Sequence, residues 1–340
     1  MKRSVIAVTV LVGFAGPSFA QSSVTIYGKV DLGLVFDSGS SSGKSVRISS
    51  GVTGGSRLGF KGVEDLGSGY KAAFQIETGF CADSAAGAPN FCTGTNFMGR
   101  QAHGDLSGPF GTMSAGRQYS LAYTNLVLLD PFGVGFAGDA TNLIDNSGSR
   151  LNNSFRYTTP IVLSGLSAGG EIAFGEQTGN WEAGREYGAL VTYANGPIYA
   201  GAGVYDINNA KGGGLAKRNI LVGGTYDFGV VKVNGLYQRT EGQPTGGAEL
   251  NNDNWLAGLT VPVAGGSVIA SYIYKNDKTV LDRDASQIGV GYLYPLSKRT
   301  SIYTSFAHIT NRNGATYTVG NATEDGTGSK SFDFGVVHNF

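Results

Sequence analysis

The side chains best placed to act on a solute are basic ones on half-polar segments. Arg57 alternates with Leu58 and Phe60, Arg156 sits between Phe155 and Tyr157, and Lys29 and Lys71 take the polar side of similar runs. Arg100, in Met98-Gly99-Arg100-Gln101-Ala102, has no clear parity, and a bulge is one reading of that stretch. Three aspartates, Asp130, Asp139 and Asp145, fall together in one long segment further on. Arginines facing aspartates across a narrow aqueous passage make a transverse field that sorts solutes by charge and orientation. The plainer alternative is a set of solvated or ion-paired side chains with no sorting role. Covalent chemistry has little support. The chain has three histidines, His103, His308 and His338, and none lies in a nucleophile motif such as G-x-S-x-G. Cys81 and Cys92 bracket a small, polar, turn-forming stretch. In an exported protein they are expected to form a disulfide, stabilising that loop by roughly 2–3 kcal/mol. A zinc site competes, but two cysteines without nearby histidines are a poor ligand set. No metal and no cofactor is implied.

The elements that must position these groups read as strands almost everywhere. In Ser23 to Phe36, Val24, Ile26, Val30, Leu32, Leu34 and Phe36 share one parity, and Thr25, Lys29 and Asp31 the other. The same alternation is legible at 57–61, 70–76, 167–174, 187–193, 219–226, 230–239, 254–261, 267–274, 287–294 and 301–307. Connections come in two alternating kinds. Tight ones include Ser107-Gly108-Pro109, Asn195-Gly196-Pro197, Asp227-Phe228-Gly229 and Ala264-Gly265-Gly266; long polar ones include 175–184, 206–218, 240–253 and 308–330. Short turns on one rim and long loops on the other describe a transmembrane antiparallel meander β-barrel, an all-β fold of about sixteen strands. A mean hydropathy of -0.05 fits, because lipid-facing and water-facing residues cancel. Tyr and Trp near strand ends would form interfacial girdles, although strands favour aromatics anyway.

Met1 to Ala20 reads as a cleaved signal peptide. Lys2 and Arg3 make a basic start, Val5 to Ala15 is apolar but too short to span a bilayer, and Ser18-Phe19-Ala20 is a small-x-small cleavage signal. Residues 21–340 are then one domain. Formal charge is zero over the full chain, and losing Lys2 and Arg3 tips it slightly acidic, so nothing suggests nucleic acid. The last residues, Ser331 to Phe340, alternate again and end on an aromatic, as the closing strand of a membrane barrel would. One segment, 116–152, breaks the pattern. It holds Leu126-Val127-Leu128-Leu129, Asp130-Pro131-Phe132-Gly133, Phe136 and Ile144, too apolar to extend into water. It folds either onto the inside wall of a wide barrel, where its aspartates would narrow the bore, or onto other loops or a neighbouring subunit.

Several motifs taken together resemble the trimeric general porins of Gram-negative outer membranes. They are Ser56-Arg57-Leu58-Gly59-Phe60-Lys61-Gly62-Val63-Glu64-Asp65-Leu66-Gly67, Phe110-Gly111-Thr112 with Gly116-Arg117-Gln118, Tyr294-Pro295-Leu296-Ser297-Lys298-Arg299-Thr300, and the terminal Phe340. The resemblance covers the whole mature chain. It implies a sixteen-stranded barrel in a homotrimer, embedded among outer-membrane lipid and lipopolysaccharide, with the third external loop folded inward as the constriction loop, about 116–152. Asp130-Pro131-Phe132-Gly133 is similar to the family's Pro-Glu-Phe-Gly loop motif with acid and proline exchanged. The resemblance puts the constriction's basic side on Arg57, Arg100 and Arg156, with Arg117 as a further candidate; the segment's own Asp130, Asp139 and Asp145 are the candidates for the acidic loop side. His338-Asn339-Phe340 resembles the His-x-Phe ending that the barrel-assembly machinery reads. The expected function is passive diffusion of small hydrophilic solutes and ions, with mild anion preference. A substrate-specific channel is the alternative, and a barrel hydrolase a more distant one.

Overall fold

The computed structural model describes residues 23–84, 97–211 and 214–340. The expected signal peptide and Cys92, with the bridge it would form to Cys81, lie outside the described residues. Among the described residues, seventeen antiparallel strands form one sheet: β1 (Ser23–Ser40), β2 (Gly43–Ser50), β3 (Arg57–Gly67), β4 (Tyr70–Gly79), β5 (Gln101–Gly108), β6 (Gly111–Tyr119), β7 (Arg150–Thr158), β8 (Leu166–Ala173), β9 (Glu186–Asn195), β10 (Ile198–Asn208), β11 (Leu215–Asp227), β12 (Lys232–Gly242), β13 (Leu250–Val263), β14 (Gly266–Asp277), β15 (Ala285–Pro295), β16 (Thr300–Asn311) and β17 (Lys330–Asn339).

The sheet closes on itself through β1. One edge of β1 pairs with β17, from Lys29↔Asn339 to Ser38↔Lys330. Its other edge pairs with β3 over Ser23–Lys29 and with β2 beyond Leu32. Strands β2 and β3 therefore share one stave, broken at residues 51–56, and the barrel has sixteen staves. Closure through β1 removes the two free edges an open sheet would carry, as a bilayer without hydrogen-bonding solvent requires, and among the described residues only β2 is paired on one side alone. Strand β2 is hard to read in the sequence because its Ser- and Gly-rich approach resembles a loop, although Val46 and Ile48 do alternate. At the seam the Phe340 amide and carbonyl both pair with Gly28, at 3.0 and 2.9 Å.

The alternation divides outside from inside. On β1, Val24 and Ile26 are 64% and 62% exposed, whereas Asp31, Val35 and Asp37 are buried. On β12 and β13, Val233 and Trp255 face out while Asn234, Leu236, Gln238 and Leu256 are buried inward. Most tight connections fall on one rim and most long ones on the other; the exceptions are the short β1–β2 turn at 41–42, on the long-loop rim, and the β7–β8 connection at 159–165, on the short-turn rim.

The long apolar segment is what buries the inward face. Strand β6 continues to Tyr119 and β7 resumes at Arg150, so the connection is 120–149, a little shorter than the sequence suggests. Its first part is a helix, α1 (Leu121–Leu129), which strand periodicity does not anticipate. Ser120 caps it, accepting from the Tyr123 amide at 3.0 Å. Leu126 and Leu129 pack with Leu221, Leu236, Leu256 and Ile273 from the inner faces of β11 to β14. Polar tethers continue along the loop. Leu121 N donates to Glu171 (2.8 Å), Tyr199 to Asn125 (2.7 Å), Ala137 N to Asp333 (2.8 Å), and Asn142 to Gln287 (2.9 Å). The loop thus lines the inner wall from β8 round to β17. A second loop, 312–329, follows it inward: Val319 is fully buried in the same cluster and Gly320 N donates to Asn142 at 2.9 Å. By composition alone that stretch reads as an ordinary polar loop.

Candidate functional site: a basic cavity at the loop

The inner wall that the loop leaves uncovered, from β3 to β7, carries the basic groups. Arg57 opens β3, Arg100 stands just before β5, Tyr119 ends β6 and Arg150 opens β7. With α1 they enclose a cavity of about 370 Å³. Arg100 Nε donates to Glu77 Oε1 at 2.7 Å, and its Nη2 donates to the Tyr119 hydroxyl at 2.5 Å. Arg150 Nη2 reaches the same hydroxyl at 2.9 Å, and its guanidinium lies 4.6 Å from the Tyr119 ring centre. Arg57 sits 3.9 Å from Glu77, beyond hydrogen-bond range. Lys29, beside Arg57, donates to Thr53, whose hydroxyl and amide donate to Asp31 at 2.7 Å each. Glu77 thus serves both Arg100 and Arg57, Lys29 is linked to Asp31 through Thr53, Arg150 is held by Tyr119 rather than by an acid, and among the described residues no Asp or Glu lines the cavity itself. Gly54 and Gly55 let the cations come this close. A Cβ on Gly55 would stand 2.8 Å from Arg100 Nη1, and Gly54 has φ +146° and would crowd Lys29 Nζ at 3.0 Å.

The other residues singled out from the sequence lie elsewhere. Arg156 pairs with Glu171 at 2.8 Å and donates to the Tyr119 carbonyl, next to the point where Glu171 takes the first amide of α1. Arg117 donates to the Gly99 carbonyl (2.7 Å) and to Asn152. Asp145 bridges Lys217 at 2.9 Å and accepts from Asn219. Asp130 and Asp139 are buried and face the loop's own backbone. Asp130 accepts from the amides of Phe132 (3.1 Å), Val134 (2.9 Å) and Ala140 (3.2 Å), while Asp139 caps a short turn by accepting from Thr141 N at 2.7 Å. Arg150 was missed in the sequence; its only signal was its place at the end of the long loop.

Burial, reinforced by Asp139, pushes the Asp130 carboxyl up to about 7. The folded loop then binds a proton more tightly than the unfolded chain. This contribution to loop stability is present at acid pH and falls as pH rises from about 4 towards 7. Asp130→Asn cannot ionise and cannot accept on both sides. It is expected to cost about 1–3 kcal/mol and to flatten that pH slope. Amide exchange across 120–149, corrected for intrinsic rate at each pH, measures both.

Comparison with known proteins places this architecture. A family model described as Gram-negative porin matches residues 7–314. The chain belongs to the Gram-negative porin family. This porin is 36% identical to outer membrane porin protein 32 of Delftia acidovorans over 330 residues, covering 93% of this chain and 92% of the relative. It is 31% identical to an outer membrane porin protein of Bordetella pertussis, covering 89% and 93%. A solved structure, an anion-selective porin from Comamonas acidovorans, superposes with a TM-score of 0.81 at 29% identity, covering 94% of this porin and all of that chain. The porin is therefore a multi-pass β-barrel of the outer membrane that passes small hydrophilic solutes by diffusion.

Proposed function

We propose that this porin is an anion-preferring diffusion channel whose constriction is the cavity between Arg57, Arg100 and Arg150 and the free face of α1. The observation that carries the reading is the convergence of three guanidinium groups on one lining without a carboxylate among the described residues. A fixed positive potential at the narrowest point concentrates anions and repels cations, and it does so without chemistry or cofactor. Arg156 and Arg117 then hold the loop and its approaches rather than the solute. Asp130 and Asp139 shape the loop from within, and Asp145 anchors its end to β11. The chain as a whole is not basic, so the preference is local. The anion selectivity of the Comamonas acidovorans porin supports the reading. Assembly as a homotrimer, one bore per subunit, fits the long apolar exterior.

Reversal potentials across a planar bilayer in a potassium chloride gradient test it. The expected result is a potential of the sign set by chloride, shrinking at high salt, since the Debye length falls from about 10 Å at 0.1 M to about 3 Å at 1 M. A potential of the sign set by potassium would overturn the reading.

A further inference from the structure

The cavity has two unlike walls. The barrel side is cationic, and the loop side is apolar. Val127, Leu128 and Val134 line it there, and Leu128 is 52% exposed while Leu126 and Leu129 on the same helix are 1% and 0% exposed. Helix α1 is therefore greasy on both faces. Its wall face is spent on anchoring the loop to β11 to β14. Leu128 belongs to none of the buried apolar clusters among the described residues. Single exposed leucines are common on protein surfaces. This one lines the same cavity as three arginines. The rings of Tyr119 and Tyr123 stack with centroids 5.1 Å apart, and both residues line the cavity. Chloride can use only the basic wall. A solute that satisfies both walls carries one carboxylate on a compact apolar or aromatic body.

We infer that the constriction is a binding site for small amphiphilic carboxylates, the charge held by Arg57, Arg100 and Arg150 and the apolar body lying on Leu128, Val127 and the Tyr119–Tyr123 pair. The inference rests on the reading of the basic cavity as the constriction and adds the class of solute it favours. The cavity volume is at the small end of ligand pockets, about 300–1,000 Å³, which suits a single ring or a short alkyl chain. Binding of this kind lets the preferred solute dwell and briefly interrupt the chloride current.

The test is single-channel recording in chloride with three added solutes: acetate, phenylacetate and phenethylammonium. Phenylacetate is expected to interrupt the current at a concentration at least about tenfold below that needed for acetate, since burying the ring adds apolar contact. Phenethylammonium, with the same ring and opposite charge, is expected to leave the current uninterrupted. Leu128→Ser should narrow the phenylacetate-to-acetate ratio, and Leu128→Met should keep it. Equal potency of the two carboxylates, or a ratio untouched by Leu128→Ser, would overturn the inference. The reversal potential from the same channels reports the arginine cluster separately. A channel that prefers chloride but does not discriminate between the carboxylates would sink only the amphiphile site. A channel that prefers potassium would sink the constriction reading beneath it.

Discussion

Arg57→Gln with Arg150→Gln should remove most of the chloride preference, and adding Arg100→Gln should turn the channel towards cations. At about 4 Å in a water-like medium a unit charge is worth about 1 kcal/mol to a passing ion, roughly a fivefold change in partitioning for each arginine removed. The charge count then sets the sign. With all three arginines gone, Lys29 stands against Glu77 and Asp31, so the local field becomes net negative. The order of removal matters for stability. Arg57 lies beyond hydrogen-bond range of Glu77, and Arg150 is held by the Tyr119 hydroxyl and ring, so their loss strands no buried charge. Arg100 is the direct partner of Glu77, whose side chain is 3% exposed. Breaking a buried pair costs about 3–5 kcal/mol, although the Tyr27 hydroxyl still donates to Glu77 at 3.0 Å. The double variant is therefore the cleaner experiment and the triple the more decisive. Arg299→Gln is the control: it lies in the exposed turn between β15 and β16, off the cavity lining, and should leave the reversal potential where it was. If the double variant kept the full chloride potential, the cavity would not be the selectivity filter.

Leu126→Ala with Leu129→Ala should release the loop from the wall. Both side chains are almost fully buried, against Leu221, Leu236 and Leu256. Leu129 also fills the space over Gly223, where an added Cβ would meet its methyl at 2.8 Å. Each truncation costs about 2–5 kcal/mol, because the rigid barrel wall cannot collapse into the cavity left behind. The sheet itself is held by its closed ladder and should survive. The expected phenotype is thus a folded channel with a larger, noisier conductance, greater passage of bulky solutes, and weaker discrimination among ions. Single-channel recording with liposome swelling by sugars of graded size measures all three. Unchanged conductance and size cut-off would show that the polar tethers from Glu171 to Asp333 hold the loop without its leucines.

Much of the barrel is legible in the linear sequence because a strand's two faces meet different solvents. Lipid and water sort side chains with a period of two, so Val24, Ile26, Leu34 and Phe36 on one parity and Lys29 and Asp31 on the other announce a wall without any knowledge of its neighbours. The exception is β2, whose composition is that of a loop and whose pairing is dictated by β1. Helix α1 was also hidden. Its run of leucines carries no helical amphipathic stripe, because one face meets the wall and the other the bore and both are apolar.

The residues themselves settle that this chain closes into a membrane cylinder with arginines on its wet face, since alternation and charge are local properties of each strand. Which arginines meet is decided in three dimensions. Parity tells a face but neither the height along a stave nor the angle around the ring. Arg150 therefore joins Arg57 and Arg100 at the cavity, while Arg156 holds Glu171. The loop's path is likewise set by contacts remote in sequence, such as Ala137 with Asp333, 196 residues apart. That path buries Asp130 and Asp139 against backbone amides and leaves Leu128 facing the bore, outcomes that depend on where the wall stands rather than on what the loop contains.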